Sequence, residues 1–290
     1  MEIEIIKFET IDNLILNGHL KTCGNKTDKV LIQIHGMTSN CFKNRESVIA
    51  NKVAKLNIDT ICFNNRGSEI MQYCKKTNGE QILQGTAYEN IEDSYYDILG
   101  AICYAVDLGY KEIYIQGHSL GATKIVYTYN KMLEEKNQYL KYIKAVILLS
   151  LIDIPDMLNT FAPKEIIELA NKKENEPNKI LPIEEYFHPL SVKTFLKYTK
   201  YYETIDFAKY SDINYNFEKL NNINIPLFMR WGDNKELIKQ DAKQIVKLLN
   251  SKIHNNNKDI DYIEGANHSY SGKEKELSEE INKFLEGRTL

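Results

Sequence analysis

The sequence predicts an α/β fold in which helices cover both faces of a mostly parallel central sheet, with a helical cap inserted in the second half of the chain. Strand-like apolar runs alternate with stretches of helical periodicity, which is typical of a parallel sheet. Five of the six prolines lie between residues 155 and 189, so the composition changes there. The 290 residues are 43% hydrophobic, which is enough to bury a large core.

The elements follow in chain order from these patterns. Residues 2–9 and 14–21 have no helix between them, which predicts a hairpin at the edge of the sheet. Further strands are predicted at 29–35, 59–63, 111–116, 144–152, 225–231 and 259–264. Helices are predicted at 90–107, 121–134, 239–250 and 273–286.

The proline-rich stretch divides the predicted core into two parts. Residues 1–152 and 223–290 are expected to form the core, and residues 153–222 a helical cap or lid. This insert is unusually aromatic for a surface loop, with Tyr186, Phe187, Phe195, Tyr198, Tyr201, Tyr202, Phe207, Tyr210, Tyr215 and Phe217. We expect it to cover the carboxyl edge of the sheet, where open α/β folds bind ligands. The alternative is an insert that packs its own small core away from the site.

Composition limits the partners and the compartment. The net charge of −3 comes with scattered lysines and no basic stripe, so neither a nucleic acid nor a membrane is an expected partner. The five cysteines form no C-x-x-C pair and indicate reduced thiols. The first residues lack the features of a signal peptide, so a cytoplasmic protein is expected. No metal or cofactor motif is present, and the oligomeric state is not predicted.

The segment Gly117-His118-Ser119-Leu120-Gly121 carries the strongest functional signal. It follows an apolar strand and precedes a helix, so Ser119 is predicted to be a nucleophile on a sharp turn. Such a turn strains the backbone and leaves no room for side chains two residues away, which accounts for the two glycines. The alternative is a glycine-rich bend with an inert serine.

A serine nucleophile needs a base and an acid. Both are expected on loops at the carboxyl edge of the sheet, where Ser119 lies. His268 follows the last predicted strand and is the expected base. His118 should point away from its neighbour Ser119. The expected acid is Asp233, which follows the strand at 225–231, and Asp153 is its competitor. The other histidines, His19, His188 and His254, lie in edge, cap or surface segments and are expected to be structural.

An oxyanion hole should come from backbone N–H groups that point at the reacting oxygen. One is the amide of Leu120, directly after the nucleophile. The second is expected to be that of Met37, because Gly36 lets the chain bend towards the site after the strand at 29–35. His35 is interpreted as a packing residue and not as a second base.

Taken together, these motifs resemble those of the α/β-hydrolase superfamily of serine esterases, lipases and thioesterases, over nearly the whole chain. The chain order of Ser119, Asp233 and His268 is that of the superfamily. Many members have an aspartate before the arginine-glycine pair, where this chain has Asn65. In this it resembles a bacterial branch akin to the siderophore-hydrolysing fusarinine C esterases, which would imply an ester of a hydroxamate or peptide product.

The expected function is hydrolysis of a carboxylic ester of a small molecule through an acyl-Ser119 intermediate. A thioesterase or acyltransferase would use the same residues, and the sequence does not separate them. The alternative from another class is a binding module that has kept the fold without catalysis. The complete set of serine, aspartate and histidine argues against that alternative.

Overall fold

The computed structural model describes residues 2–182, 189–237 and 239–287, and a mixed sheet forms its centre. The ten strands of this sheet are β1 (Ile3–Glu9), β2 (Leu14–Lys21), β3 (Lys29–Ile34), β4 (Asp59–Asn64), β5 (Gln72–Lys76), β6 (Gln81–Gln84), β7 (Glu112–His118), β8 (Ile143–Leu149), β9 (Leu227–Gly232) and β10 (Lys258–Ile263). They lie in the order β10-β9-β8-β7-β3-β4-β2-β5-β6, with β1 beside β2. The six strands from β10 to β4 are parallel, as predicted.

Two hairpins extend the sheet beyond β4. The predicted one pairs β1 with β2, which in turn lies antiparallel to β4. The second, β5 with β6, was not predicted because both strands are short and rich in glutamine and lysine. Its turn contains Asn78 and Gly79, the glycine at φ +89°, which is a recognisable hairpin signal.

Helices cover both faces of the sheet. They are α1 (Asn44–Val53), α2 (Ser94–Asp107), α3 (Leu120–Glu134), α4 (Ile154–Phe161), α5 (Lys164–Lys172), α6 (Val192–Thr199), α7 (Glu218–Asn221), α8 (Ala242–Lys252) and α9 (Glu274–Glu286). Helices α2, α3 and α8 share one buried cluster with the sheet, and α1 and α9 pack in another on the opposite face. The sequence did not predict α1. Its first turn is polar, so the short buried stripe of Ile49, Ala50 and Val53 does not stand out as a helical pattern.

The segment after β8 contains α4, α5 and α6, which pack in a third buried cluster. Leu158, Ile166 and Phe195 lie in this cluster together with Leu120, the first residue of α3. The third cluster therefore rests directly on the turn between β7 and α3. Later aromatic residues of the segment, from Phe207 to Phe217, belong to the main core. The predicted cap aromatics Tyr186 and Phe187, and also His188, lie outside the described residues.

Within the described ranges, every helix is too short or too polar to cross a membrane.

Candidate active site

Ser119 occupies a strained turn between β7 and α3. Its backbone has φ 56° and ψ −124°, a conformation that L-residues rarely adopt. A Cβ at Gly117 would lie 2.4 Å from the carbonyl oxygen of Gly121, and one at Gly121 would lie 2.4 Å from that of Ile34. Both glycines are therefore required by close backbone approach, as the sequence pattern predicted.

The loop after β3 meets this turn. A Cβ on Gly36 would lie 2.9 Å from the His118 carbonyl oxygen and 3.0 Å from Ser119 Cβ, so only glycine allows such an approach. The next residue, Met37, lines the same cavity as Ser119. Leu120 begins α3, and its amide is among the first four of the helix, which lack an intrahelical acceptor. Both predicted oxyanion residues thus flank Ser119.

His35 is a buried packing residue. Its Nδ1–H donates to the Gly36 carbonyl at 2.9 Å, and its Nε2 accepts from the Asn65 amide at 3.2 Å. Burial and the nearby Lys124 ammonium lower the pKa of His35 to about 3. The ring is therefore neutral, and both of its nitrogens are occupied.

A buried ion pair lies beneath the turn, and it was missed from the sequence. Lys124 of α3 is fully buried, pairs with Glu89 and donates to Asn65 Oδ1 at 3.0 Å. Asn65 Nδ2 also donates to the His35 carbonyl at 3.4 Å, which an aspartate could not do. An aspartate there would place a second carboxylate beside the ammonium that Glu89 already neutralises. The amide at position 65 is therefore explained by its surroundings.

His268 lies on the loop after β10 and lines the same cavity as Ser119. Its carbonyl accepts hydrogen bonds from His118 Nε2 at 2.8 Å and from Ser150 Oγ at 3.1 Å, which fix the loop. Burial and the Arg45 guanidinium lower the pKa of His268 to about 4. The ring is therefore neutral at physiological pH and able to accept a proton.

His118 differs from the expectation that it would point away from the site. Its ring lies 4.8 Å from the His268 ring, centroid to centroid, and lines the cavity. Burial, followed by the Arg45 guanidinium, lowers the pKa of His118 well below its ordinary value. Its contacts make it a positioning residue for the loop of His268.

Three carboxylates lie near the His268 loop or the start of α4. Asp233 accepts from the Gly265 amide at 2.7 Å, and Glu236 accepts from the His268 amide at 2.9 Å. Asp153 caps α4 through the Asp156 amide at 3.0 Å. Among the described residues, no hydrogen bond joins any of these carboxylates to the His268 ring, and none joins Ser119 Oγ to that ring.

Asp153 has an unfavourable environment for a charge-stabilising role. It is buried, and burial together with the carboxylates of Asp206 and Asp156 raises its pKa to about 7. Asp206 is equally buried, and burial raises its pKa as well. A carboxyl group that is protonated for much of the time near pH 7 stabilises an imidazolium less well than an ionised one.

The cavity that contains Ser119 and His268 has a volume of about 710 Å³ and two chemically different walls. One wall is apolar and consists of Ile152, Met157, Leu158, Phe161, Leu190 and Leu237. The other wall is polar and consists of Thr38, Ser39, Lys43, Asn44, Arg45, Ser269, Ser271 and Glu274. Ser119 and His268 line the same cavity as both sets of side chains, so the cavity suits an amphipathic molecule.

Comparison with solved structures identifies the fold. Est1E from Butyrivibrio proteoclasticus, solved with ferulic acid bound, superposes with a TM-score of 0.66 at 18% identity over 97% of both chains. The Pyrococcus furiosus esterase Pf2001 gives 0.63 at 18% identity, over 98% of this chain and 90% of the other. The α/β hydrolase GrgF from a Penicillium species gives 0.65 at 14% identity over 99% of both. No family model and no curated protein matches the sequence.

The chain therefore has the α/β-hydrolase fold, as the motifs around Ser119 indicated.

Proposed function

We propose that this protein is a serine hydrolase that cleaves a carboxylic ester through an acyl-Ser119 intermediate. The observation that carries this proposal is the strained backbone of Ser119, at the start of a helix and in one cavity with His268. Strain of this kind persists only where the surrounding structure maintains it, and it is concentrated at functional sites. The esterases among the structural neighbours support the same reaction class.

In the proposed mechanism, His268 accepts the proton of Ser119 as its oxygen attacks the ester carbonyl. The amides of Met37 and Leu120 stabilise the oxyanion of the tetrahedral intermediate. The imidazolium then donates its proton to the leaving alcohol, which leaves an acyl-Ser119. A water molecule, deprotonated by His268, attacks this ester and releases the acid and the free serine. Ser119 and His268 make their hydrogen bond when the substrate is bound, because such contacts are often long in unliganded enzymes.

We propose Asp233 as the acid that orients His268 and stabilises its protonated form. Asp233 directly follows β9 and already binds the loop of His268 through the Gly265 amide. The competitor Asp153 is disfavoured because its pKa is raised to about 7. Glu236 is a further candidate that the structure adds, since it binds the amide of His268 itself.

The proposed cap comprises residues 153–222, and we propose that it supplies most of the apolar wall. Met157, Leu158, Phe161 and Leu190 come from this segment and line the cavity. The side chains that would select the substrate are therefore mainly aliphatic. The aromatic Tyr198 is fully buried in the third cluster, so its substitution is expected to affect folding first.

Hydrolysis of 4-nitrophenyl esters by the wild-type protein and by Ser119→Ala tests the proposal. We expect turnover by the wild type and a loss of several orders of magnitude in the variant, with unchanged thermal unfolding. Unchanged turnover in the variant would exclude Ser119 as the nucleophile. Parallel assays with acyl thioesters and with added acceptor alcohols separate an esterase from a thioesterase or an acyltransferase.

A further inference from the structure

A row of polar side chains crosses one face of the sheet where β2 and β4 pair. In the strand register, His19 of β2 lies opposite Cys62 of β4, and Cys62 lies opposite Gln33 of β3. Directly opposite residues point to the same face of a sheet, so the imidazole and the thiol are neighbours. Cys62 is fully buried, whereas His19 is half-buried. The row therefore runs from the edge of the core into its interior.

The loop between β3 and α1 brings a second cysteine to this row. The Cys41 amide donates to Asn64 Oδ1 at 2.8 Å, and Asn64 is two residues from Cys62, on the same face of β4. The ring of Phe42 stacks on that of His19, with the centroids 5.6 Å apart. These contacts hold Cys41 next to Cys62 and His19. Among the described residues, the cluster does not have the arrangement of a metal site.

The contacts among the three side chains favour the thiolate form of Cys41. A hydrogen bond from the Cys62 thiol is the main cause that lowers the pKa of Cys41, and the His19 imidazole acts in the same direction, against the effect of burial. The hydrogen bond to Cys41, followed by burial, raises the pKa of Cys62, which stays protonated. A thiolate beside a protonated thiol is the arrangement of a reactive cysteine and its resolving partner.

The other cysteines provide a comparison. Burial raises the pKa of Cys23, Cys74 and Cys103. Cys23 and Cys103 are only half-buried, whereas Cys41 is 2% exposed. Exposure alone would therefore favour oxidation of Cys23 and Cys103, whereas thiolate character favours oxidation of Cys41. The order in which the thiols react distinguishes the two causes.

We propose that Cys41 and Cys62 form a reversible redox pair, in which hydrogen peroxide oxidises Cys41 and Cys62 then closes a disulfide. The Cys41 thiolate attacks one peroxide oxygen, and the O–O bond breaks. The leaving hydroxide takes up the proton that Cys41 has released, which gives water and a sulfenic acid. The Cys62 sulfur attacks the sulfenic sulfur, the S–O bond breaks, and the Cys62 proton leaves with the hydroxide as a second water. The two thiols thereby lose two electrons to one peroxide.

The loop of Cys41 accommodates both steps. Phe42 is 68% exposed, so the backbone at Cys41 runs close to the surface and a small oxidant has a short path to it. A sulfur–sulfur bond is only about 2.05 Å long, and Cys62 is fixed in a strand that is paired on both sides, so Cys41 moves towards β4. The same loop contributes Met37 and Ser39 to the cavity wall. The disulfide therefore ties this wall to the sheet, whether or not Ser119 hydrolyses esters.

Mass spectrometry of the full chain tests the proposal. The reduced protein is treated with hydrogen peroxide at pH 7, free thiols are blocked with N-ethylmaleimide in denaturant, and the digest is searched for cross-linked peptides. We expect a Cys41–Cys62 disulfide that dithiothreitol reverses. It should form at least about tenfold faster than Cys23 or Cys103 is oxidised, because the thiolate is the reacting form.

Variants separate the roles of the residues. Cys62→Ala should stop the reaction at the sulfenic acid of Cys41, which dimedone traps. Cys41→Ala should abolish both the disulfide and the dimedone adduct. His19→Gln should slow disulfide formation several-fold, because it removes an imidazole that favours the thiolate. The matched control, Cys103→Ala, removes a thiol outside the pair and should leave the rate unchanged.

The wild-type protein alone can overturn the proposal, so the result does not depend on the folding of a variant. A disulfide between other cysteines would overturn it. So would a chain in which Cys41 and Cys62 are still blocked by N-ethylmaleimide after Cys23 has been oxidised. A sulfenic acid at Cys41 that never becomes a disulfide would overturn the role of Cys62. Thermal unfolding checks that each variant is folded.

Discussion

The two halves of the candidate site are built in different ways. The nucleophile half is fixed by backbone geometry, since Gly36, Gly117 and Gly121 each approach another segment too closely for a side chain. The base half is held by hydrogen bonds to a loop, in which His118 and Ser150 both donate to the carbonyl of His268. Backbone packing specifies one position, whereas a loop held by a few contacts can adjust. In the proposed mechanism, Ser119 is therefore pre-organised, whereas His268 and the proposed acid complete their geometry when the substrate binds.

The largest expected effect comes from replacing Ser119 or His268, one residue from each half of the candidate site. Ser119→Ala and His268→Gln should each lower kcat for a 4-nitrophenyl ester by about 10⁴-fold or more, because each removes the same proton-transfer unit. The double variant should be no slower than the slower single variant. Additive losses in the double variant would contradict a shared role, and circular dichroism checks that all three proteins are folded.

The next largest expected effect comes from replacing the carboxylate that is proposed to orient His268. Asp233→Asn should lower kcat by up to about 10⁴-fold, since it removes the charge of the carboxylate proposed to stabilise the protonated His268. Asp153→Asn should have a modest effect, because the carboxyl group it replaces already has a pKa raised to about 7. Glu236→Gln should have an intermediate effect through the amide of His268.

The same kinetic series can contradict the assignment of Asp233 as the acid. If Asp153→Asn is the slowest variant and still folded, then the acid follows β8 and not β9. If Glu236→Gln is the slowest, the structure has revealed an acid that was missed from the sequence.

The pH dependence should report the environment of His268. Catalysis needs the neutral ring, and burial with the Arg45 guanidinium lowers its pKa to about 4. A lowered pKa disfavours the protonated form, so kcat/KM for a neutral ester should stay level from pH 8 to about 5 and fall as the pH drops through about 4. An unperturbed histidine would lose activity near pH 6.5 instead.

An acid limb near pH 6.5 would contradict a lowering of the His268 pKa by burial and by the Arg45 guanidinium. Re-assay at pH 8 after incubation at each pH controls for unfolding.

The smallest expected effect on catalysis distinguishes a side chain that lines the cavity from one that is buried in the third cluster. Phe161 is 36% exposed and lines the cavity, so Phe161→Ala should change the preference among acyl chain lengths about tenfold with little loss of stability. Tyr198 is fully buried, so Tyr198→Ala should instead cost about 3–5 kcal/mol of unfolding free energy. The reverse result would show that Tyr198 contacts the substrate.

The difference between the two halves also explains what could be predicted from the sequence. The turn of Ser119 was predictable because close backbone approach requires glycine and leaves a readable spacing. The parallel strands were predictable because burial on both faces makes them continuously apolar. The acid was not resolved, since Asp153, Asp233 and Glu236 all follow the carboxyl ends of strands, and their hydrogen-bond partners depend on loop geometry.

Helix α1 and the ion pair of Lys124 with Glu89 were missed for a related reason. Their side chains are charged, and hydrophobic periodicity carries no information about which charges are buried together. Helix α1 also contributes Arg45, which the structure places in the cavity wall. The positions of polar side chains at the edge of the site are therefore determined by tertiary contacts, which cannot be inferred from the sequence.

The central claim is that Ser119 is an activated nucleophile, and covalent labelling tests it most directly. A fluorophosphonate is incubated with the wild-type protein, with Ser119→Ala and with His268→Gln, and the adduct is located by peptide mass spectrometry. We predict one adduct per wild-type chain on Ser119, no adduct in Ser119→Ala, and much slower labelling in His268→Gln. Labelling at another residue, or none in the folded wild-type protein, would contradict the account.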